Sequence, residues 1–338
     1  MKAKYIFIAA LTATAIANTS CEKVSPQGVL MGGTAVEDRV KMSYNYYKVN
    51  NFEDKLDYDL KEVENGYSFL VGSDSHITTD DGRIKEMFQI GLDHDDLLMI
   101  HLGDIADTKV EYYNVLQNAI AEAKYYYVEK NYELSEKDFK LYRKNQPEAI
   151  GRDYDDIKFP FFPVVGNHDI THNGWALWSN IFGSSFYEFD VLVEEYNGNA
   201  VYDHFIFLDT ASGTLGKTQV DLIEEGVLDG QGVYRNTFVF SHTNIFLPQH
   251  MQFSSTFPRE EAYFLLKQFD KWNSTIVFCG HVHKWDERIY NMVYFLTLDS
   301  MSERNSPEPG DYLVRVNVDK EGSITLDRVH MDYVAPKN

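Results

Sequence analysis

The feature that most constrains this chain is a series of short apolar runs, five of which end in side chains that can bind metal ions. The five endings are Asp74-Ser75-His76, Gly103-Asp104-Ile105-Ala106-Asp107, Gly166-Asn167-His168-Asp169, Ser241-His242 and Gly280-His281-Val282-His283. Any one of them could be an ordinary turn or helix cap. In α/β proteins, however, ligands bind outside the carboxyl ends of the strands. Five such endings therefore predict one shared metal site.

The order of apolar and amphipathic stretches from residue 67 onward is typical of an α/β domain. The predicted strands are Tyr67–Val71, Leu97–Leu102, Phe161–Val165, Phe205–Leu208, Phe238–Phe240, Thr275–Cys279 and Val293–Leu298. Apolar residues spaced three and four apart predict a core-facing helix from Lys109 to about Tyr127. Residues 128–158, rich in charge and tyrosine, are predicted to be a solvated insertion. Alternation between Asp311 and Val334 predicts antiparallel strands that close the sheet.

Two pairs of candidate ligands are separated by a single residue. Side chains at alternate positions of an extended segment point the same way, so Asp74 is expected beside His76, and His281 beside His283. Glycine precedes three of the candidate ligands and allows a sharp turn close to a crowded site. These glycines are Gly103, Gly166 and Gly280.

Taken together and in this order, the five endings resemble the five-block signature of the calcineurin-like metallophosphoesterases, from about Phe69 to His283. The resemblance implies a four-layer α/β/β/α sandwich with a binuclear metal site at the edge of the sheets. It assigns the metal ligands residue by residue. One metal would take Asp74, His76 and His283, the other Asn167, His242 and His281, and Asp104 would bridge both.

Imidazole, carboxylate and amide ligands without thiolates suit Mn, Fe or Zn. A hydroxide that bridges two such metals is the expected nucleophile. The resemblance gives the role of general acid to His168. Asp169, the other catalytic candidate, and Asp107 are then expected to orient His168 or a ligand histidine, because ligand histidines usually donate their free N–H to a carboxylate. Loop capping is the alternative role for both carboxylates. His172, Trp175, Trp178 and His250 follow the blocks, and packing or surface exposure is favoured over a place in the pocket wall.

The net charge of the chain limits which molecules its surface can bind. The chain has 31 Lys+Arg against 52 Asp+Glu, a formal net charge of −21, so its general surface should repel nucleic acid. An anionic substrate must bind where the metals make the site locally positive. Small phosphorylated molecules are the expected substrates, and the sequence does not choose between monoesters and diesters. Thr108 and Asp107 stand where protein phosphatases carry Arg and purple acid phosphatases carry Tyr, which disfavours both branches.

The first residues predict export. Lys2 and Lys4 precede an apolar stretch from Tyr5 to Ala17, which is typical of a signal peptide. The small residues before Cys21 resemble a bacterial lipoprotein signal, which is favoured over simple secretion. The predicted parts are a signal peptide (1–20), a tether and N-terminal extension (21–66) and the catalytic domain (67–338). Lipid at Cys21 would anchor the protein in the periplasm or at the cell surface. Cys279, in an apolar run, is predicted to be a buried thiol.

Two other functions are weighed against the exported phosphoesterase. One is a surface protein that binds phosphorylated ligands without cleaving them, through a metallophosphoesterase site that has lost its catalytic activity. The other is that residues 22–66 dock the enzyme on a surface partner, although their tyrosines are expected to pack on the domain. The sequence leaves the oligomeric state open.

Overall fold

The structure is a computed structural model that describes residues 34–50, 63, 65–131, 159–196, 199–246 and 257–334. The predicted signal peptide, Cys21, His250 and most of the predicted insertion lie outside the described residues. Within these ranges, no helix has the length and apolar character needed to cross a bilayer.

The described elements are seven α-helices, one 3₁₀ helix (Thr171–Asn173) and eleven strands. The helices are α1 (Val36–Asn50), α2 (Gly82–Asp93), α3 (Val110–Asn131), α4 (Asn167–Ile170), α5 (Gly174–Phe182), α6 (Gly216–Glu224) and α7 (Arg259–Lys271). The strands are β1 (Gly66–Gly72), β2 (Leu98–His101), β3 (Phe161–Pro163), β4 (Tyr187–Tyr196), β5 (Asn199–Phe207), β6 (Val233–Phe240), β7 (Ile276–Cys279), β8 (Asp286–Tyr290), β9 (Val293–Thr297), β10 (Gly310–Asp319) and β11 (Ile324–Met331).

The strands form two sheets, with the orders β11-β10-β1-β2-β3 and β4-β5-β6-β7-β9-β8. In the first sheet β1, β2 and β3 are parallel neighbours, and in the second β5, β6, β7 and β9 are. Parallel neighbours end at the same edge of a sheet. The loops that follow β1, β2 and β3 therefore leave from one edge, and those that follow β6 and β7 leave from the corresponding edge of the other sheet.

Alternation along the strands builds three apolar layers. Phe69 and Val71 of β1 face the core between the two sheets, whereas Leu70 faces the helices on the other side. Phe205 of β5 likewise faces the core between the sheets, whereas Ile206 faces the helices that cover the second sheet. Both faces of the parallel strands in each sheet are thus buried, as expected of parallel strands covered by helices.

The helices cover the outer faces of the two sheets. Residues of α2, α3 and α5 pack on the first sheet, and residues of α1, α6 and α7 pack on the second. The layers are therefore helix, sheet, sheet, helix, which confirms the predicted four-layer α/β/β/α sandwich.

The predicted strands are all present, but some bounds were wrong. β5 and β6 begin at Asn199 and Val233, well before the apolar runs, and β4 and β8 were not predicted. β10 pairs antiparallel with both β1 and β11, so the predicted closing strands are confirmed. The predicted insertion begins too early, because helix α3 continues to Asn131 and buries Val128 completely.

Part of the predicted N-terminal extension packs on the domain. Val36 and Val40 of α1 lie in the apolar layer over the second sheet. Arg39, which is fully buried, donates hydrogen bonds to both carboxylate oxygens of Asp209, at 2.9 and 2.8 Å. Glu37 accepts hydrogen bonds from the backbone N–H groups of Lys217 and Thr218 at the start of α6. Helix α1 is therefore part of the folded unit.

Candidate metal centre

The candidate ligands lie in loops at the ends of the strands, and their backbone conformation is unusual. Five of them have φ between 45° and 69°, namely Asp74, His76, Asp104, His281 and His283. Left-handed conformations of residues other than glycine cost of order 1–3 kcal/mol each and cluster at functional sites. The expectation that the Asp-x-His and His-x-His segments are extended is therefore wrong: the chain turns sharply once it leaves β1 or β7.

The first group of ligand atoms comes from both sheets. The Asp74, His76, Asp104 and His283 side chains each offer one atom within 4.8 Å of the others. His283 Nε2 lies 3.1 Å from Asp74 Oδ1 and 3.2 Å from His76 Nε2. Asp74 is fully buried, and its main chain is tied to the β2 loop because its N–H donates to the Gly103 carbonyl at 3.1 Å.

The second group contains Asp104, His242 and His281, again within 4.8 Å of one another. Asn167 joins it, because its Oδ1 lies 3.0 Å from His242 Nε2, and His281 Nδ1 lies 3.2 Å from the same nitrogen. His281 and His283 thus belong to different groups. They do not form the chelating pair that their spacing predicted. Instead, His283 lies in the first group and His281 in the second, which is the distribution that the family resemblance implies.

Asp104 is the residue that the two groups share. Its Oδ2 lies 3.4 Å from His242 Nε2 in one group and 3.9 Å from His76 Nε2 in the other. Its Oδ1 accepts the backbone N–H of His168 at 2.7 Å. The carboxylate thus lies between two sets of ligands, in the position required of a bridge.

The spacing of the ligand atoms fits two metal ions. Two Zn–N bonds of ~2.1 Å at a tetrahedral angle place their nitrogens ~3.4 Å apart. The closest ligand pairs of the two groups are separated by 3.0 to 3.2 Å. Pairs of imidazole nitrogens at this distance, with carboxylate and amide oxygens, are a donor set for Mn, Fe or Zn.

Hydrogen bonds fix which ring nitrogen of His242 is available. Its Nδ1 lies 2.7 Å from the carbonyl oxygen of Leu102, which can only accept, so Nδ1 carries a hydrogen and Nε2 is the nitrogen that faces the other candidate ligands. The backbone N–H of His242 donates to Thr210 Oγ1 at 2.9 Å. Thr210, which the sequence did not indicate, holds this ligand in place.

Charges within the site move several pKa values. Burial lowers the pKa of His242, but the neighbouring Asp104 carboxylate outweighs it and raises that pKa to about 9. Burial and the charge of His242 lower the pKa of His281 to about 4. Burial raises the pKa of Asp74, yet His283 and His242 more than compensate and bring it down to about 2. The carboxylates therefore present negative charge to a cation.

His168, the predicted general acid, lies at the open side of the site. Its side chain is 42% exposed, and its ring meets the His76 ring edge-on with the centroids 4.7 Å apart. His168 Nδ1 lies 3.2 Å from Asp107 Oδ1, and this contact raises the pKa of His168. The same oxygen lies 3.5 Å from His76 Nδ1. Asp107 thus lies beside both histidines at ion-pair distance, and its predicted role in orienting them stays a prediction.

Asp169 has a different environment. Its carboxylate is fully buried and accepts backbone N–H groups at 2.8 to 3.3 Å, one from the loop after β3 and three from the loop after β2. The donors are Gly166, Asp104, Ile105 and Ala106. Of its predicted roles, these contacts favour loop capping, and Asp169 is a positioning residue for the Asp104 loop.

Two glycines are required by the close approach of these loops. Gly103 has φ +96°, and a Cβ there would lie 2.7 Å from His242 Nδ1. A Cβ on Gly166 would lie 2.2 Å from Asp104 Oδ1. Both positions therefore exclude any larger residue without displacement of a candidate ligand.

The remaining candidates are not among the grouped ligand atoms of the described residues. Trp175 and Trp178 are buried in the layer under α5, so the favoured packing role is confirmed, and His172 is exposed. Cys279 is a free, buried thiol as predicted, and burial raises its pKa to about 12. His204 forms a buried pair with Glu188 at 2.6 Å, far along the chain from any block.

The fold thus brings together candidate ligands for a binuclear metal centre. The profile of the family described as "Calcineurin-like phosphoesterase" matches residues 67–285, and the chain belongs to this family. No curated protein sequence matches it.

Solved structures with similar folds have low sequence identity. One is GAP50, the anchor in the inner membrane complex of Plasmodium, at 12% identity over 80% of this chain and 90% of that chain, with TM-score 0.47. Another is a dimetal phosphatase from Danio rerio, at 12% identity over 75% and 92% and TM-score 0.44. A third is TT1561 of Thermus thermophilus, at 9% identity over 78% and 99% and TM-score 0.41.

Proposed function

We propose that this protein is a metal-dependent phosphatase or phosphodiesterase that hydrolyses small phosphorylated molecules. The observation that carries the proposal is the position of Asp104, whose Oδ2 lies 3.4 Å from His242 Nε2 and 3.9 Å from His76 Nε2 and so joins two groups of ligands. When bound, two metal ions supply the positive charge that stabilises phosphoryl oxygens, and they acidify the attacking water.

The side chains around the metals have distinct tasks. Asp74, His76 and His283 would hold one ion, and a second group would hold the other, namely Asn167, His242 and His281 with Asp104 as the bridge. His168 is the proton donor to the leaving oxygen, because its Nδ1 faces Asp107 and its partly exposed ring lies at the open side of the site. Asp107 favours the protonated form of His168, which is the form a general acid needs.

Metal dependence is the direct test. Protein loaded with Mn is expected to hydrolyse p-nitrophenyl phosphate or its bis-ester, and chelation should abolish the activity. His168→Ala should retain the metals but lower kcat by ~10²–10⁴-fold, the usual contribution of a general acid. Exposed His94→Ala is the control variant and should match the wild type. Absence of turnover with Mn, Fe or Zn would favour the non-catalytic binding protein instead.

We also propose that the protein is exported and lipid-anchored. The support is the sequence of residues 1–21, with its two lysines, apolar stretch and Cys21. In a bacterial host, the wild type should be found in the membrane fraction, and Cys21→Ser should release it into the soluble fraction. Equal partitioning of the two proteins would rule out an anchor at Cys21.

A further inference from the structure

The loop between β9 and β10 brings a cationic side chain to the candidate metal centre. Its first residues are tied to the loop that carries Asp74: Ser300 Oγ donates to the Asp74 carbonyl at 2.8 Å, and the Met301 N–H donates to the Ser73 carbonyl at 2.9 Å. The start of this loop is therefore positioned by the same backbone that positions a candidate metal ligand.

A buried arginine holds the rest of the loop. Arg83 of α2 is 2% exposed, and its guanidinium donates to the carbonyl oxygens of Ser306 and Glu308, both at 3.0 Å. The Ser306 N–H donates to the Ser302 carbonyl at 2.7 Å, which closes a turn around residues 302–306. Arg304 lies in the middle of this turn, so its backbone has a defined place even though its side chain reaches into solvent.

The Arg304 side chain points to the proton-donor side of the centre. Its Nη2 lies 3.3 Å from Asp107 Oδ2, while Asp107 Oδ1 lies 3.2 Å from His168 Nδ1. One carboxylate thus separates the guanidinium from the imidazole. Among the Lys and Arg ion pairs of the described ranges, this is the one made to a residue of the site.

The contact with Asp107 leaves Arg304 available to a ligand. The side chain is 61% exposed, and an ion pair of such exposure contributes little by itself. A guanidinium has five N–H donors in a fixed planar arrangement that matches two phosphate oxygens, and one contact to Asp107 leaves most of them unused. In a chain of net charge −21, a cation held beside the centre favours an anionic group there.

We propose that Arg304 binds the non-esterified oxygens of the substrate phosphoryl group and makes the centre selective for phosphomonoesters over diesters. A monoester has three non-esterified oxygens and a second negative charge, whereas a diester has two such oxygens and one charge, so the monoester gains more from a guanidinium cation. This inference rests on the proposed function. Arg304 would determine specificity, whereas His168 and the metal ligands would carry the reaction.

The experiment compares Arg304→Ala and Arg304→Lys with the wild type, all loaded with Mn. For p-nitrophenyl phosphate, Arg304→Ala should raise KM about 10–100-fold, the range of a charged hydrogen bond, and change kcat much less. KM for the bis-ester should change by less than threefold, and Arg304→Lys should restore part of the loss. Lys217→Ala removes an exposed, similarly paired cation and should leave both values unchanged.

Binding of inorganic phosphate to the Mn-loaded proteins provides a readout without turnover. Calorimetry should show the affinity of Arg304→Ala for phosphate about 10–100-fold below that of the wild type. Equal affinity of the two proteins would overturn the inference, and so would a fall in kcat alone, since that would mean that Arg304 acts only through Asp107. If the wild type binds phosphate but turns over no ester, the proposed function fails while the binding comparison still decides the role of Arg304.

Discussion

Asp104→Asn is expected to lower kcat by at least ~10³-fold and to reduce the metal content of the purified protein. The carboxylate supplies negative charge to both ligand groups, and a metal ion in such a centre stabilises transition-state charge by several kcal/mol. Asparagine keeps the size of the side chain and can still accept the His168 N–H. The loss should therefore report the bridging charge. Metal content by mass spectrometry and kcat for p-nitrophenyl phosphate measure it.

The matched control for this variant removes a carboxylate elsewhere. Asp221 on α6 is 46% exposed and pairs with Lys217, so Asp221→Asn should retain the wild-type metal content and activity. If Asp104→Asn kept all of its metal and a kcat within tenfold of the wild type, Asp104 would not be a bridge. The assignment of two metal ions to the two ligand groups would then need to be replaced.

The site could be predicted from the sequence because its residues follow buried strands. The apolar runs fix the strands, and parallel strands place Asp74, Asp104 and Asn167 at one edge whatever the loops do in detail. The loop conformations could not be predicted, because the left-handed backbone of Asp74 and His281 arises from contacts between the loops. The His281 N–H, for example, donates to Asp74 Oδ2 at 2.9 Å across 207 residues of sequence.

Arg304 shows a different limit of sequence reasoning. It lies in a polar loop without periodicity, and its place depends on Arg83, which is more than 200 residues away in the chain and carries no motif. Asp169 shows a third limit of prediction from the sequence. Its motif position suggested that it orients His168 or a ligand histidine, whereas its carboxylate accepts backbone N–H groups that only the folded loops bring together.

The N-terminal helix was not predicted for a related reason. Helix α1 has weak amphipathic character, and only a few of its residues are buried, among them Val36, Arg39 and Val40. Its attachment depends on a buried ion pair between Arg39 and Asp209, which are 170 residues apart. Ser185 Oγ also donates to Asp209, at 2.7 Å. No local pattern in the sequence reveals such a network.

Arg39→Ala is expected to lower the free energy of unfolding by about 3–5 kcal/mol, because it leaves the Asp209 carboxylate buried without its cation. Urea denaturation followed by circular dichroism measures the change. Lys41→Ala, on the exposed side of the same helix, is the control and should unfold like the wild type. A loss below about 1 kcal/mol for Arg39→Ala would mean that α1 adds nothing to the fold beyond a surface contact.

The same variant should also weaken the metal centre. Asp209 directly precedes Thr210, whose Oγ1 accepts the backbone N–H groups of His242 and Thr243, each at 2.9 Å. Movement of Asp209 toward solvent would shift Thr210 and with it a ligand histidine, and disturbing the groups that orient a ligand typically lowers metal affinity 10–100-fold. Arg39→Ala should therefore bind Mn more weakly under conditions in which it remains folded, whereas Lys41→Ala should not. Unchanged Mn affinity in a destabilised Arg39→Ala protein would separate the two effects and confine helix α1 to stability.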